Sequence, residues 1–108
     1  MAALLIASPG RAQDPVKVDP KHYSVMIDNN KVRVLHIHYG PGETSVMHKH
    51  PASVIVFLTD ATVKMTYPDG KTEEIAGRKG QATYMEATTH RPQNVGKAMD
   101  VIQIELKK

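Results

Sequence analysis

Stretches of alternating apolar and polar residues, each ended by a Gly, Pro or Asn turn, recur along this chain and constrain its fold more than any other feature. Successive side chains leave opposite faces of an extended strand, so such alternation builds a sheet with one covered face. The pattern predicts strands over 23–28, 32–39, 44–49, 53–59, 62–67, 71–76, 81–85, 89–95 and 100–106. Pro68-Asp69-Gly70 is the clearest hairpin signal, Asn29-Asn30 and Pro41-Gly42 turn the chain elsewhere, and Gly96-Lys97 makes the last turn. No stretch carries a helical period. The expectation is an all-β domain whose short strands close into a barrel.

The ends and the composition bound what else the chain can be. With 108 residues, 41% of them hydrophobic, it has material for one core, and no run approaches the ~20 apolar residues of a membrane span. A net charge of +3 is spread among eleven acids, and one Phe, four Tyr and no Trp offer little for stacking on bases, so nucleic acid is not an expected partner. The lack of cysteine excludes disulfides and thiolate ligands. Ala2-Ala3-Leu4-Leu5-Ile6-Ala7 followed by Ser8-Pro9-Gly10, with small Gly10 and Ala12 before a potential cut, reads as the remnant of a secretory signal over residues 1–12. That predicts a periplasmic or secreted protein, and a cytoplasmic one if the segment is not a signal. Residues 13–22, with two prolines, read as an extended linker into a barrel over 23–108.

Chemistry concentrates on histidine. His48 and His50 lie two apart on a predicted strand, so both imidazoles leave one face while Lys49 leaves the other, and His90 follows on a later strand. His36 and His38 repeat the spacing, but Leu35, Ile37 and Tyr39 look like the buried face of that strand, which turns the pair toward solvent or a subunit interface. His22 falls in the linker and reads as incidental. Tyr39, Phe57, Tyr67 and Tyr84 are expected in the core or along a cavity wall.

The segment Gly42-x5-His48-x-His50 resembles the first cupin motif, and His90-x3-Asn94 resembles the end of the second. The likeness spans roughly residues 30–106 and implies a double-stranded β-helix, or jelly-roll, barrel. It departs from the pattern where the family carries a glutamate four or five residues after the second His, here Val54 or Ile55. Met85 and Ala87 stand where a Pro and a Gly would precede the last His, and the leading glycine is best matched by Gly80, one place out of step. The ligands the resemblance implies are His48, His50 and His90, with no carboxylate.

Three neutral imidazoles suit one divalent transition metal per chain, copper first by ligand preference and iron second. The first expectation from such a site is an oxidoreductase activating O2 or peroxide, with Glu86 and Gln93 as the nearest candidates to manage protons. The chain also looks like a small secreted copper cupin of the kind that cleaves cellulose oxidatively, which would make a polysaccharide or a small molecule its substrate. Two alternatives stay open: a zinc, nickel or manganese isomerase or lyase, and a non-catalytic binder of metal or small ligand. A cavity narrowed by Val54, Val56 and Leu58 would favour the binder. The apolar outer face of 53–59 predicts a homodimer.

Overall fold

The computed structural model describes residues 13–108; the expected signal remnant and the cut after Ala12 lie outside the described residues. A single helical turn, α1 (Pro15–Val18), opens the described chain. The strands β1 (Tyr23–Asp28), β2 (Val32–Tyr39), β3 (His48–His50), β4 (Ser53–Phe57) and β5 (Ala61–Thr66) follow. They continue with β6 (Thr72–Gly77), β7 (Ala82–Met85), β8 (Thr88–Asn94) and β9 (Met99–Leu106).

Alternation decides the topology. The strands pair antiparallel into a five-stranded sheet ordered β1-β2-β9-β4-β7 and a four-stranded sheet ordered β3-β8-β5-β6. On β2, Leu35, Ile37 and Tyr39 point inward, and β9 answers with Met99 and Val101. Together with Tyr23 and Phe57, and with Ala61 and Val63 from the opposing sheet, they make the buried core. Gly42, Gly70 and Gly80 adopt positive φ in three turns where a side chain would strain the backbone. Gly77 is needed for a different reason: a Cβ there would stand 2.3 Å from the Phe57 ring, which lies flat on the bare backbone.

The outward face of the five-stranded sheet is apolar in register. Val34, Ile104, Val54 and Tyr84 align across four strands, and Ile102 and Val56 pair beside them. Val54 and Val56 therefore face away from the space between the sheets, and the inward wall of β4 is Ser53, Ile55 and Phe57.

Two local expectations change. The strand expected over 44–49 forms only as β3, because the chain before it makes just one isolated bridge, Thr44 to Gln93. The segment 13–22 is not an extended linker. The Asp14 carboxylate caps the Val16 amide at 3.1 Å and Pro15 takes the first helical position, a pair of signals that starts a helix. Pro15, Asp19 and His22 are buried, so this segment is packed into the domain.

Candidate metal centre

The three histidines meet because of strand register. His48 lies directly across from His90 on the β3–β8 ladder, and His50 follows two residues on, so all three side chains leave the same inward face. Each is buried, and each offers a ring nitrogen such that the three atoms lie within 4.8 Å of one another.

Hydrogen bonds fix which nitrogens those are. His48 Nδ1–H donates to the Val46 carbonyl at 2.9 Å, and His50 Nδ1–H donates to Glu105 Oε2 at 3.2 Å. Both rings are thereby held with the Nε2 lone pair turned toward the cluster, where that of His48 also meets the Tyr23 hydroxyl. His90 Nε2 is buried with no hydrogen-bond partner among the described residues. An orphaned nitrogen facing two lone pairs is costly in a folded protein unless something binds there. A cation is what three convergent lone pairs accept, so the residues fit a divalent metal.

Electrostatics agree. Burial and the neighbouring His50 push the His48 imidazole down to about 4, and burial with repulsion from His50 and His48 pushes His90 down to about 3. Near neutral pH both are unprotonated, the form that ligates metal.

Supporting groups come from distant parts of the chain. Burial pushes the Glu105 carboxyl up, but His50 and Arg33 pull it lower still, leaving it ionised against His50. Arg33 donates from Nε to Glu105 at 2.7 Å and from both terminal nitrogens to Asp14 at 2.9 Å, tying α1 to this network. On the other flank, Asp19 accepts from Ser45 and from His22 Nδ1, and Ser45 Oγ stands 3.2 Å from His48 Nδ1. His22 stacks on Tyr39 at 4.2 Å, and its Nε2 lies 3.1 Å from Glu43 Oε1. It is a buried structural residue, not an incidental one. Tyr23 reaches the cluster itself, its hydroxyl 3.2 Å from His48 Nε2 and 2.7 Å from the Tyr39 hydroxyl. Burial, with Tyr39 beside it, raises the Tyr23 phenol well above its ordinary value, so it keeps its proton.

A cavity of about 260 Å³ opens beside His50 and His90 between the two sheets. Ile37, Ile55, Phe57, Val63, Met65 and Val101 are among its walls, with Gln103 and Thr83 the few polar additions beyond the histidines and tyrosines. Tyr39 and Phe57 line it from within, Tyr84 reaches it from the edge strand β7 although it also joins the outward row, and Tyr67 does not contribute.

Glu86 and Gln93 are not brought to this site. Glu86 is exposed after the end of β7 and accepts from Tyr84 at 3.3 Å. Gln93 lies three residues from His90, an odd offset that turns it to the opposite face of β8, where its amide reaches Gly42 O at 3.4 Å. Asn94 clamps the turn carbonyls of Gly40 and Lys97 rather than orienting His90. The polar groups that do surround the imidazoles are Tyr23, Ser45 and Glu105. Glu105 and Tyr23 carried a signal: each occupies an inward position of an alternating strand, where a carboxylate or phenol needs a partner.

No protein-family model matches the chain, and no curated protein matches its sequence significantly. Solved structures do match. A cupin domain from Bordetella pertussis is 25% identical over 80% of this chain and 92% of its own, with a TM-score of 0.73. A cupin superfamily protein from Desulfitobacterium hafniense aligns at 14% identity over 80% and 76% of the two chains, with a TM-score of 0.60. An RmlC-like cupin from Methanocaldococcus jannaschii, described as a double-stranded β-helix, aligns at 14% identity over 82% and 84%, with a TM-score of 0.58. The chain thus has the double-stranded β-helix fold of the cupins, with a three-histidine group that can bind one metal ion.

Proposed function

We propose that this cupin-fold chain is a mononuclear metal-dependent oxidoreductase acting on small, largely apolar substrates, with His48, His50 and His90 as ligands and copper favoured over iron. The observation that carries the reading is the buried His90 Nε2, without a hydrogen-bond partner among the described residues and grouped with two other imidazoles at the head of an apolar cavity. When bound, copper or iron there supplies electron transfer to O2 or peroxide.

The chain's own residues do the rest. Ile55, Phe57 and Val63 exclude water from the substrate space and grip an apolar body. Glu105 holds the Nδ1 proton of His50 and so keeps its other nitrogen pointed inward. The Tyr23 hydroxyl donates to His48 Nε2 while accepting from Tyr39; with that nitrogen held to a metal, the Tyr23 proton would be released to the cavity that Tyr23 also lines. This makes Tyr23, rather than Glu86 or Gln93, the group placed to pass a proton to a reacting oxygen. Apolar walls offer few partners to the hydroxyls of a glycan, so the cavity favours a small molecule over a polysaccharide such as cellulose.

A second reading is favoured by one observation: no carboxylate or amine lines the cavity among the described residues. A metal- or small-ligand-binding module, or a zinc site acting only as a Lewis acid, would need none. Metal analysis of untagged protein followed by electron paramagnetic resonance decides between them. A copper or iron signal that changes with ascorbate and with peroxide supports redox work, whereas stoichiometric zinc with no response to oxidant removes it.

We further infer that two copies pair through the in-register apolar face of the five-stranded sheet, where Val34, Ile104, Val54 and Tyr84 present a continuous row.

A further inference from the structure

One side chain in the cavity wall holds a hydrogen-bonding atom that neither the sheet nor the histidine cluster uses. Gln103 stands at an inward position of β9, across from Leu35 on β2 and Ile55 on β4, and is only 1% exposed. Its Nε2 donates to Ser53 Oγ at 3.0 Å, and Ser53 Oγ donates to the Pro51 carbonyl at 2.8 Å. The carbonyl can only accept, so the single Ser53 hydroxyl proton is committed to it and Ser53 can only accept from Gln103. The amide is thereby fixed with its nitrogen toward Ser53, which leaves Oε1, without a partner among the described residues, for the cavity that Gln103 lines. Unlike His90 Nε2, this oxygen is not sealed in, so a molecule in the cavity can reach it. We propose that Gln103 selects the substrate by accepting a hydrogen bond from a neutral, compact apolar molecule that carries a hydroxyl, a phenol or an alcohol.

This deepens the function proposed above and rests on its reading of the cavity as the substrate space. A lone acceptor in an apolar wall favours a ligand that brings a donor over one of the same shape that cannot, because the second leaves the oxygen bare. The tyrosines of the wall compete little: the hydroxyls of Tyr23 and Tyr39 bond each other at 2.7 Å, and that of Tyr84 donates to Glu86. Size agrees as well. An apolar cavity of ~150 Å³ holds benzene, so about 260 Å³ has room for a ring with its substituents. Gln103 also lies two residues from Glu105 on the same face of β9, and Glu105 holds His50. A hydroxyl anchored on Gln103 therefore keeps the rest of its molecule beside the histidine cluster.

The test is calorimetric titration of the metal-free chain with phenol and with toluene, which has the same shape without the donor, in the native protein and in Gln103→Leu. Comparing the two chains cancels the different hydration of the two probes. Gln103→Leu is expected to lower the preference for phenol over toluene by about 10-fold, the worth of one such hydrogen bond. The variant also leaves Ser53 without its donor, so circular dichroism checks its fold, and the native chain gives a second reading that needs no variant. There the side-chain amide resonance of Gln103 is expected to move further with phenol than with toluene, which supplies the same ring. A preference equal in the two chains, as when phenol bonds to a histidine instead, or a Gln103 signal that moves equally with both probes, overturns the role of Gln103 and leaves the metal centre standing. A native chain that takes up neither probe overturns it together with the cavity as substrate space.

Discussion

Glu105 accepts the Nδ1 proton of His50 at 3.2 Å although the two residues are 55 positions apart in the chain. This contact fixes the tautomer and the direction of one ligand, and Arg33 holds the carboxylate in turn at 2.7 Å. Replacing Glu105 by Gln keeps the shape but lets the amide present either end to His50. Metal affinity at the buried centre is expected to fall about 10- to 100-fold, the usual cost of losing such a partner. Calorimetric titration of the variant checks it, with circular dichroism to establish that the fold persists.

The position that could supply a carboxylate is Ile55, not Val54. Ile55 lines the cavity, whereas Val54 pairs with Tyr84 and Ile104 on the outward face. Ile55→Glu is expected to shift metal preference from copper toward iron by adding an oxygen donor, and Val54→Glu is expected to leave preference unchanged. Competition between the two ions, read by metal analysis of each variant, distinguishes these outcomes.

Val54→Glu has a separate consequence. It places a charge in the middle of the apolar row proposed as the dimer face, so the variant is expected to sediment as a monomer where the native chain sediments as a dimer. Ultracentrifugation that gives one mass for both removes that interface.

Acid should unfold the metal-free chain early. In the folded state His48 and His90 are held down to about 4 and about 3, while in the unfolded chain they titrate near 6.5. Between those values the unfolded state binds more protons, so stability is fully present above pH ~6.5 and is lost as pH falls toward the folded values. The slope approaches about 1.4 kcal/mol per group for each pH unit. Denaturant midpoints measured from pH 7 to pH 4 should drop steadily, and bound zinc should raise the upper part of that curve without changing its slope, because the folded His48 and His90 are already unprotonated there.

Much of this was written in the residue alternation. Period two located the strands and separated the inward His48–His50 pair from the outward His36–His38 pair, because parity on a strand is unforgiving. Parity also argues against Gln93 as a neighbour of His90. What the alternation left out was pairing at long range. Nothing local joins Tyr23 to His48 or Glu105 to His50; those contacts exist only once β1 and β9 sit in one sheet facing β3. The segment before β1 was misread for a different reason: its prolines suggested extension, but Asp14 before Pro15 is a cap and first turn, and the buried Asp19 and His22 follow from that turn.

The most direct test is anomalous diffraction from crystals grown with one equivalent of zinc per chain. A single peak about 2.0–2.1 Å from the ring nitrogens of His48, His50 and His90 is the predicted result. Rings that diverge, with no anomalous density between them, would contradict a metal centre in this barrel.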